Sequence, residues 1–206
     1  MGGDMTGGRA GVTLDAVTEL EERETVRLCQ SGRDDDARSG FKRIYERYFD
    51  EVYRFLERLL ADPHGAEDGT QETFVRLHRA LKSIDGTRPL RPYVLAVARN
   101  VAIDALRARA KGMKALGEDA APARTDVVQD AAASERKEAV LDALAALAPE
   151  HRSILVLRHV HGQKLEEIAE GSSCTVRTVR NRLRAAGTLL GRELKRRGVV
   201  GGEVRS

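Results

Sequence analysis

Between Phe41 and Leu59 the apolar residues recur at helical spacing. Phe41, Ile44, Tyr45, Tyr48, Val52, Phe55, Leu56 and Leu59 form one stripe, and Arg43, Glu46, Arg47, Arg54 and Glu57 lie off it. A helix of about five turns with a single apolar face must bury that face against other elements. The same period returns downstream. Ala66, Thr70, Thr73, Phe74, Leu77 and Leu81 predict a second helix over 65–81, and Val94, Val97, Ala98, Val101 and Ala105 a third over 91–110. No segment alternates as a strand would, so the expected fold class is all-α. A chain of 206 residues with 33% charged residues, 4% aromatics and no Trp fits a charge-rich helical protein.

The spacing between periodic stretches sets the organisation. Residues 1–23 are expected to form a disordered tail, although 16–29 carry a short helical pattern through Val17, Leu20 and Leu28. Ser31 to Gly40 reads as a polar loop, and Asp62-Pro63 closes one helix and opens the next. A first helical domain is expected over 24–111. Residues 112–133, rich in Ala, Gly and acid with one Pro, read as a flexible linker. A second domain follows over 134–198, then a tail over 199–206. Within it, Leu141, Leu144 and Leu147 mark one helix, Ile154, Leu155 and Val160 another, and two more span 165–170 and 176–197.

Several function classes lose support here. Cys29 and Cys174 stand alone without metal-ligand spacing, which suggests a reducing compartment rather than a disulfide framework. The Gly-rich start has no apolar core of a signal peptide, and no apolar run approaches the ~18–20 residues that span a bilayer. The expectation is a cytoplasmic protein without membrane insertion. His159 and His161 lie near Glu166 and Glu167, but HxH without further ligands is weak support for a metal. There is no Walker loop, nucleophile elbow or HExxH. Neither an enzyme, a metal nor a cofactor is expected.

Lys164 to Ala185 reads KLEEIAEGSSCTVRTVRNRLRA. Leu165, Ile168 and Ala169 make the apolar side of a short helix, and a turn follows around Ser172 to Thr175. Val176, Val179 and Leu183 then face inward, leaving Arg177, Thr178, Arg180, Asn181 and Arg184 outside. Two short helices joined by a tight turn, the second bearing cations and amides, meet the requirements of major-groove reading. Arg pairs bidentately with guanine and Asn with adenine, and Arg182, Arg192, Lys195, Arg196 and Arg197 extend the charge toward phosphates. A solvated basic helix fits the same residues when they are taken alone.

Two further faces lie upstream. Asp68, Gln71, Glu72 and Val75 share one outward side, an acidic and amide stripe with an apolar end that suits a basic helical partner. Asn100, Ile103, Asp104 and Arg107 share the outer face of the third helix, with Arg99 beside them and Arg88, Arg91 and Tyr93 just before. Cations with an aromatic can hold a single strand with an unstacked base. Each face taken alone is equally an ordinary solvated surface.

Together these segments resemble the sigma-70 superfamily, in its extracytoplasmic-function group. FKRIYERYFDEVYRFLERLLADPHGAEDGTQETFVRLHRAL and RPLRPYVLAVARNVAIDALRAR look like region 2, and LAALAPEHRSILVLRHVHGQKLEEIAE with TVRTVRNRLRAA looks like region 4. The resemblance implies that Asp68, Gln71, Glu72 and Val75 dock on core RNA polymerase. It implies that Arg91, Tyr93, Arg99, Asn100, Asp104 and Arg107 meet the −10 element of promoter DNA. Thr175, Arg177, Thr178, Arg180, Asn181 and Arg184 would read the −35 element, and an anti-sigma factor would mask these surfaces. The chain departs from the family pattern at Gly69, inside the docking helix, at Tyr93, where Trp is common, and at Gly171-Ser172-Ser173 before the reading helix. Gly69 is expected to cost about 0.5–1 kcal/mol of helix stability. Ser172 is expected to lose a core contact and Ser173 to take a positive φ. Three other readings remain. A sigma-like decoy would bind an anti-sigma factor without promoter recognition. A one-component DNA-binding regulator would explain 164–197 alone. An enzyme would rest on the two histidines.

Overall fold

The computed structural model describes residues 14–116 and 131–199. Its α-helices are α1 (Leu14–Gln30), α2 (Asp34–Leu60), α3 (Pro63–Ala80), α4 (Leu90–Leu116), α5 (Ala131–Ala145), α6 (Pro149–Leu155), α7 (Leu165–Gly171) and α8 (Val176–Arg196). A 3-10 turn, Leu81–Ser83, follows α3, and a π turn, Val156–Val160, continues α6. Among the described residues there is no strand, and the all-α expectation holds.

Several boundaries differ from the sequence reading. The expected tail over 1–23 gives way to helix at Leu14, and residues 1–13 lie outside the described residues. The expected linker over 112–133 overlaps α4 up to Leu116 and α5 from Ala131, and its middle, 117–130, also lies outside. The Ser31–Gly40 loop is mostly the start of α2. Asp34, Asp35 and Asp36 sit in its first turn, where carboxylates oppose the positive end of the helix dipole. Gly40 belongs to a helix crossing: a Cβ there would lie 2.8 Å from Cys29 Sγ and 2.9 Å from the Thr25 carbonyl oxygen. The glycine lets α1 lie against α2.

α2 ends at Ala61, which takes the left-handed conformation (φ 51°) and sends its N–H to the Glu57 carbonyl at 2.9 Å. Pro63 then occupies the first turn of α3, where its missing N–H leaves no helix bond unmade. The predicted stripe of α2 is buried at Ile44, Tyr48, Val52, Phe55, Leu56 and Leu59, while Tyr45 is 40% exposed. Leu141 and Val160, also read as inner residues, are exposed as well, and so is Ala105. Val160 ends a π turn in which His161 N–H reaches the Val156 carbonyl at 3.1 Å, five residues back, so the 3.6-residue period no longer applies. Ile103, read as outward, is buried.

The apolar core is continuous across the two halves of the chain. Phe55, Leu56, Leu77 and Leu95 belong to the same cluster as Ile154, Leu157, Ile168 and Val179. A smaller cluster joins Leu147, Leu155 and Ala186. Two buried charged groups fix the frame. Glu22 accepts from Tyr48 Oη and, at 3.1 Å, from the Leu90 N–H, which ties α1 to α2 and to the start of α4. Arg152 donates to the carbonyls of Leu59, Ala145 and Leu147, filling acceptors near the ends of α2 and α5.

Gly40→Ala places a methyl against backbone as well as sulfur, so α1 must move. The expected loss is about 1–3 kcal/mol, read as a lower urea midpoint at an unchanged slope.

Candidate nucleic-acid interface

The α3 stripe stands as expected. Asp68, Gln71 and Val75 are exposed and Glu72 is half-buried. Arg76, one turn on, was not singled out by the sequence. Its Nε donates to Glu72 Oε1 at 2.7 Å and its Nη1 to Asp104 Oδ2 at 2.9 Å, bridging the acidic stripe to α4. These two carboxylates hold the Arg76 guanidinium above its usual pKa. Beside the stripe lies an apolar depression of about 340 Å³ lined by Phe41, Tyr45, Phe74, Val75 and His78. The rings interlock, with Tyr45 and Phe74 4.7 Å apart and Phe41 edge-on to His78 at 4.9 Å. The spacing of Phe41 and Tyr45, four residues apart, is a signal in the sequence that the inner-stripe assignment absorbed.

Gly69 lies buried on the opposite side of α3. A Cβ there would sit 3.3 Å from Leu56 Cδ1 and 3.6 Å from Val101 Cγ1. The residue therefore serves close packing of α3 on α2 and α4, which offsets its low helix propensity.

α4 carries the second face, and most of its charges are already engaged. Arg91 donates to Glu51 Oε1 through Nη2 at 2.6 Å and to the His161 carbonyl at 3.0 Å. Glu51 also receives His161 Nδ1 at 3.0 Å, while the His161 ring stands edge-on to Phe55. Arg99 is only 6% exposed; its Nε meets Ser153 Oγ at 3.1 Å and its Nη1 meets Asn100 Oδ1 at 3.3 Å. Burial pushes the Arg99 guanidinium below its usual pKa, and the nearby Arg182 cation adds to this. Arg107 pairs with Glu150 at 2.8 Å. Tyr93, Asn100 and Asp104 are exposed.

The helix-turn-helix forms as the sequence predicts. Glu167 accepts from the Lys164 N–H at 2.8 Å and caps the start of α7. Ser173 takes φ 49°, the expected positive value, and Ser172 is half-buried with its hydroxyl making no hydrogen bond within the described residues. The turn closes through the Cys174 N–H, which reaches the Ala169 carbonyl at 2.9 Å. Thr175 is the N-cap of α8: its Oγ1 accepts from the Thr178 N–H at 3.2 Å and lies 2.9 Å from the Thr178 hydroxyl. Arg177, Arg180, Asn181 and Arg184 all point outward and are exposed. Among the described residues no group of three or more His, Cys, Asp and Glu is placed to hold a metal ion. No described helix is long and apolar enough to cross a membrane.

An all-α chain with an exposed acidic stripe on α3, a row of arginines on α4 and a helix-turn-helix whose last helix presents cations has the features of a DNA-binding protein. Residues 44–112 match the family model for sigma-70 region 2, and residues 137–186 match sigma-70 region 4. The chain is 33% identical to the extracytoplasmic-function sigma factor SigE of Mycolicibacterium smegmatis, over 82% of this chain and 67% of that protein. It is 36% identical to the sigma factor CarQ of Myxococcus xanthus, over 65% of this chain and 77% of the relative. SigL of Mycobacterium tuberculosis is 30% identical, over 76% and 90% respectively. Its fold is like that of CnrH in complex with the cytosolic domain of CnrY, with a TM-score of 0.63 and 20% identity over 85% of this chain and 98% of that one. It is also like the sigma factor RpoE bound to the anti-sigma factor NepR from Bartonella quintana, with a TM-score of 0.59 and 20% identity over 75% and 96%. The chain belongs to the sigma-70 family of RNA polymerase sigma factors, in the extracytoplasmic-function group. Its family places it in promoter-directed transcription initiation with RNA polymerase.

Glu51 gives a pH test of the contact between the halves. Burial works to raise its carboxyl, but hydrogen bonds from His161 and Arg91 outweigh it and hold the group at about 2. A depressed carboxylate contributes stability in full above its unfolded value and loses it as pH falls through the folded one. Wild type should therefore exceed Glu51→Gln by about 1–3 kcal/mol near neutrality. The gap should close as pH drops from 4.5 toward about 2, measured by thermal melts at each pH.

Proposed function

We propose that this chain docks on core RNA polymerase through Asp68, Gln71, Glu72 and Val75, and that the apolar depression beside them receives part of the same partner. Arg91, Tyr93, Arg99, Asn100, Asp104 and Arg107 engage the −10 element. Thr175, Arg177, Thr178, Arg180, Asn181 and Arg184 engage the −35 element, with Thr175 acting mainly by holding the first turn of α8 in place. An anti-sigma factor masks these faces until a signal releases them, and the protein works in the cytoplasm. The observation that carries the reading is the conjunction on one chain of an exposed acidic stripe on α3 and an exposed Arg-Asn face on α8.

The physical logic needs no covalent chemistry from this protein. Each DNA face has modest affinity alone, and holding both on one polymerase turns the second contact into an intramolecular event. Capture of an unstacked base then offsets an opening cost of a few kcal/mol. The departures from the family pattern at Gly69 and Ser173 are accommodated. Gly69 fills a tight helix crossing, and Ser173 adopts the turn conformation with the basic face of α8 still presented.

Purified protein with core polymerase should initiate at discrete start sites in a genome-wide run-off assay. Binding to core without any initiation would favour the decoy. Arg180→Ala should weaken promoter recognition by about 1–3 kcal/mol and relax the preference at one −35 position. The double variant Asp68→Ala, Gln71→Ala should lower core affinity in a pull-down while leaving the helical circular dichroism of the chain unchanged.

A further inference from the structure

Resting on the −10 reading above, we propose that α1 braces the connector between α3 and α4, and that Gln30 is a positioning residue for −10 recognition. Gln30 acts through the connector rather than on DNA. The connector runs over 81–89 and leads into Arg91 and Tyr93 at the start of α4. Apart from the 3-10 turn Leu81–Ser83 it has no helix or strand. A stretch of this kind, left to itself, samples many shapes. Holding an unstacked base demands one shape, because binding has to offset the cost of taking that base out of the stack.

Three contacts on one side supply that shape. Gln30, the last residue of α1, donates through Nε2 to the Leu81 carbonyl at 2.9 Å and to the Ile84 carbonyl at 2.9 Å. An amide nitrogen has two hydrogens, so one side chain pins the connector at two points. One turn back along α1 lies Val26. A Cβ on Gly86 would sit 3.1 Å from Val26 Cγ1, so the connector backbone lies close against the helix there. A further turn back, the buried Glu22 accepts from the Leu90 N–H at 3.1 Å and from Tyr48 Oη, which fixes where α4 begins. Glu22, Val26 and Gln30 are four residues apart and share one face of α1. That face meets the connector from its first residue to the first residue of α4.

The connector is also tied within itself. Asp85 Oδ1 accepts from the Thr87 N–H at 3.0 Å and from the Thr87 hydroxyl at 2.6 Å. Lys82, Ser83 and Arg88 are exposed. The carbonyls of Leu81 and Ile84 are thus turned to α1, while cationic and hydroxyl groups of the same connector face solvent.

Gln30 is exposed, so replacing it leaves the core intact. Gln30→Met keeps the length and neutrality of the side chain but donates nothing, and Gln30→Lys restores donors. Holoenzyme assembled with core RNA polymerase is offered a random pool of ten-nucleotide single-stranded DNA, and sequencing of the bound fraction gives its discrimination among bases. Hydrogen exchange of the free chain reports the amides of 81–90. Wild type should enrich particular bases. Gln30→Met should lower that enrichment roughly ten-fold, as the loss of two hydrogen bonds that fix one geometry implies. It should exchange faster over 81–90 and bind core polymerase as wild type does. Gln30→Lys should recover both slow exchange and enrichment, whereas a mere added charge would change overall affinity and not the choice of base. The inference is overturned if Gln30→Met discriminates as wild type does, if its discrimination falls without faster exchange, or if Gln30→Lys fails to restore discrimination. Enrichment of no base by wild-type holoenzyme would instead overturn the −10 reading, and the inference with it.

Discussion

The apolar stripe of α2 is the constraint on which the rest of the structure leans. Phe55, Leu56 and Leu59 are fully buried, and α1, α3, α4, α5, α6 and the π turn all touch this helix. α7 and α8 then attach through α4 and α6. At about 25 cal/mol per Å² of apolar surface removed from water, a 27-residue helix buried along one face supplies the main driving force for the assembly. The polar devices act on that base. Glu22 orients the start of α4, and Arg152 occupies carbonyls near the ends of two helices. Neither carries the fold alone, but each makes one arrangement of the helices the satisfied one.

The helices were legible in the sequence because amphipathic periodicity over four or five turns has few alternatives. The helix-turn-helix was legible for a further reason. Its signals, the apolar positions of α7 and α8 and the turn between them, are local and need no knowledge of what packs where. The first turns of α2 were not legible. Gly, Asp and Ser in sequence read as a loop, yet Gly40 is there to admit α1 and the three aspartates suit a helix start. Composition cannot distinguish a glycine that bends a chain from one that lets another helix approach. Gly69 and Gly171 belong to the second kind.

The site was legible as faces and not as networks. The outward stripe of α3 and the basic side of α8 follow from a period of 3.6. That Arg76 ties Glu72 to Asp104, or that Arg91 and His161 share Glu51, depends on which helices lie side by side. Those are long-range facts with no trace in local spacing. The same limit explains Arg99, whose position beside Asn100 reads as surface until α6 brings Ser153 to it. Ile154 and Leu155 are buried as their spacing predicts, and only Val160 departs, because the π turn shifts the register and leaves it 52% exposed.

Ala61 and Ser173 both sit in the left-handed region, at φ 51° and φ 49°, where a glycine would rest without penalty. An L-residue there gives up roughly 1–2 kcal/mol each time. The chain thus forgoes an amount comparable to the effect of one or two point mutations, in a fold whose net stability is on the order of 5–15 kcal/mol. A difference of that size changes the cellular abundance of a protein several-fold through the fraction exposed to proteases. The two turns thus keep the stability of this fold below what glycine at either position would allow.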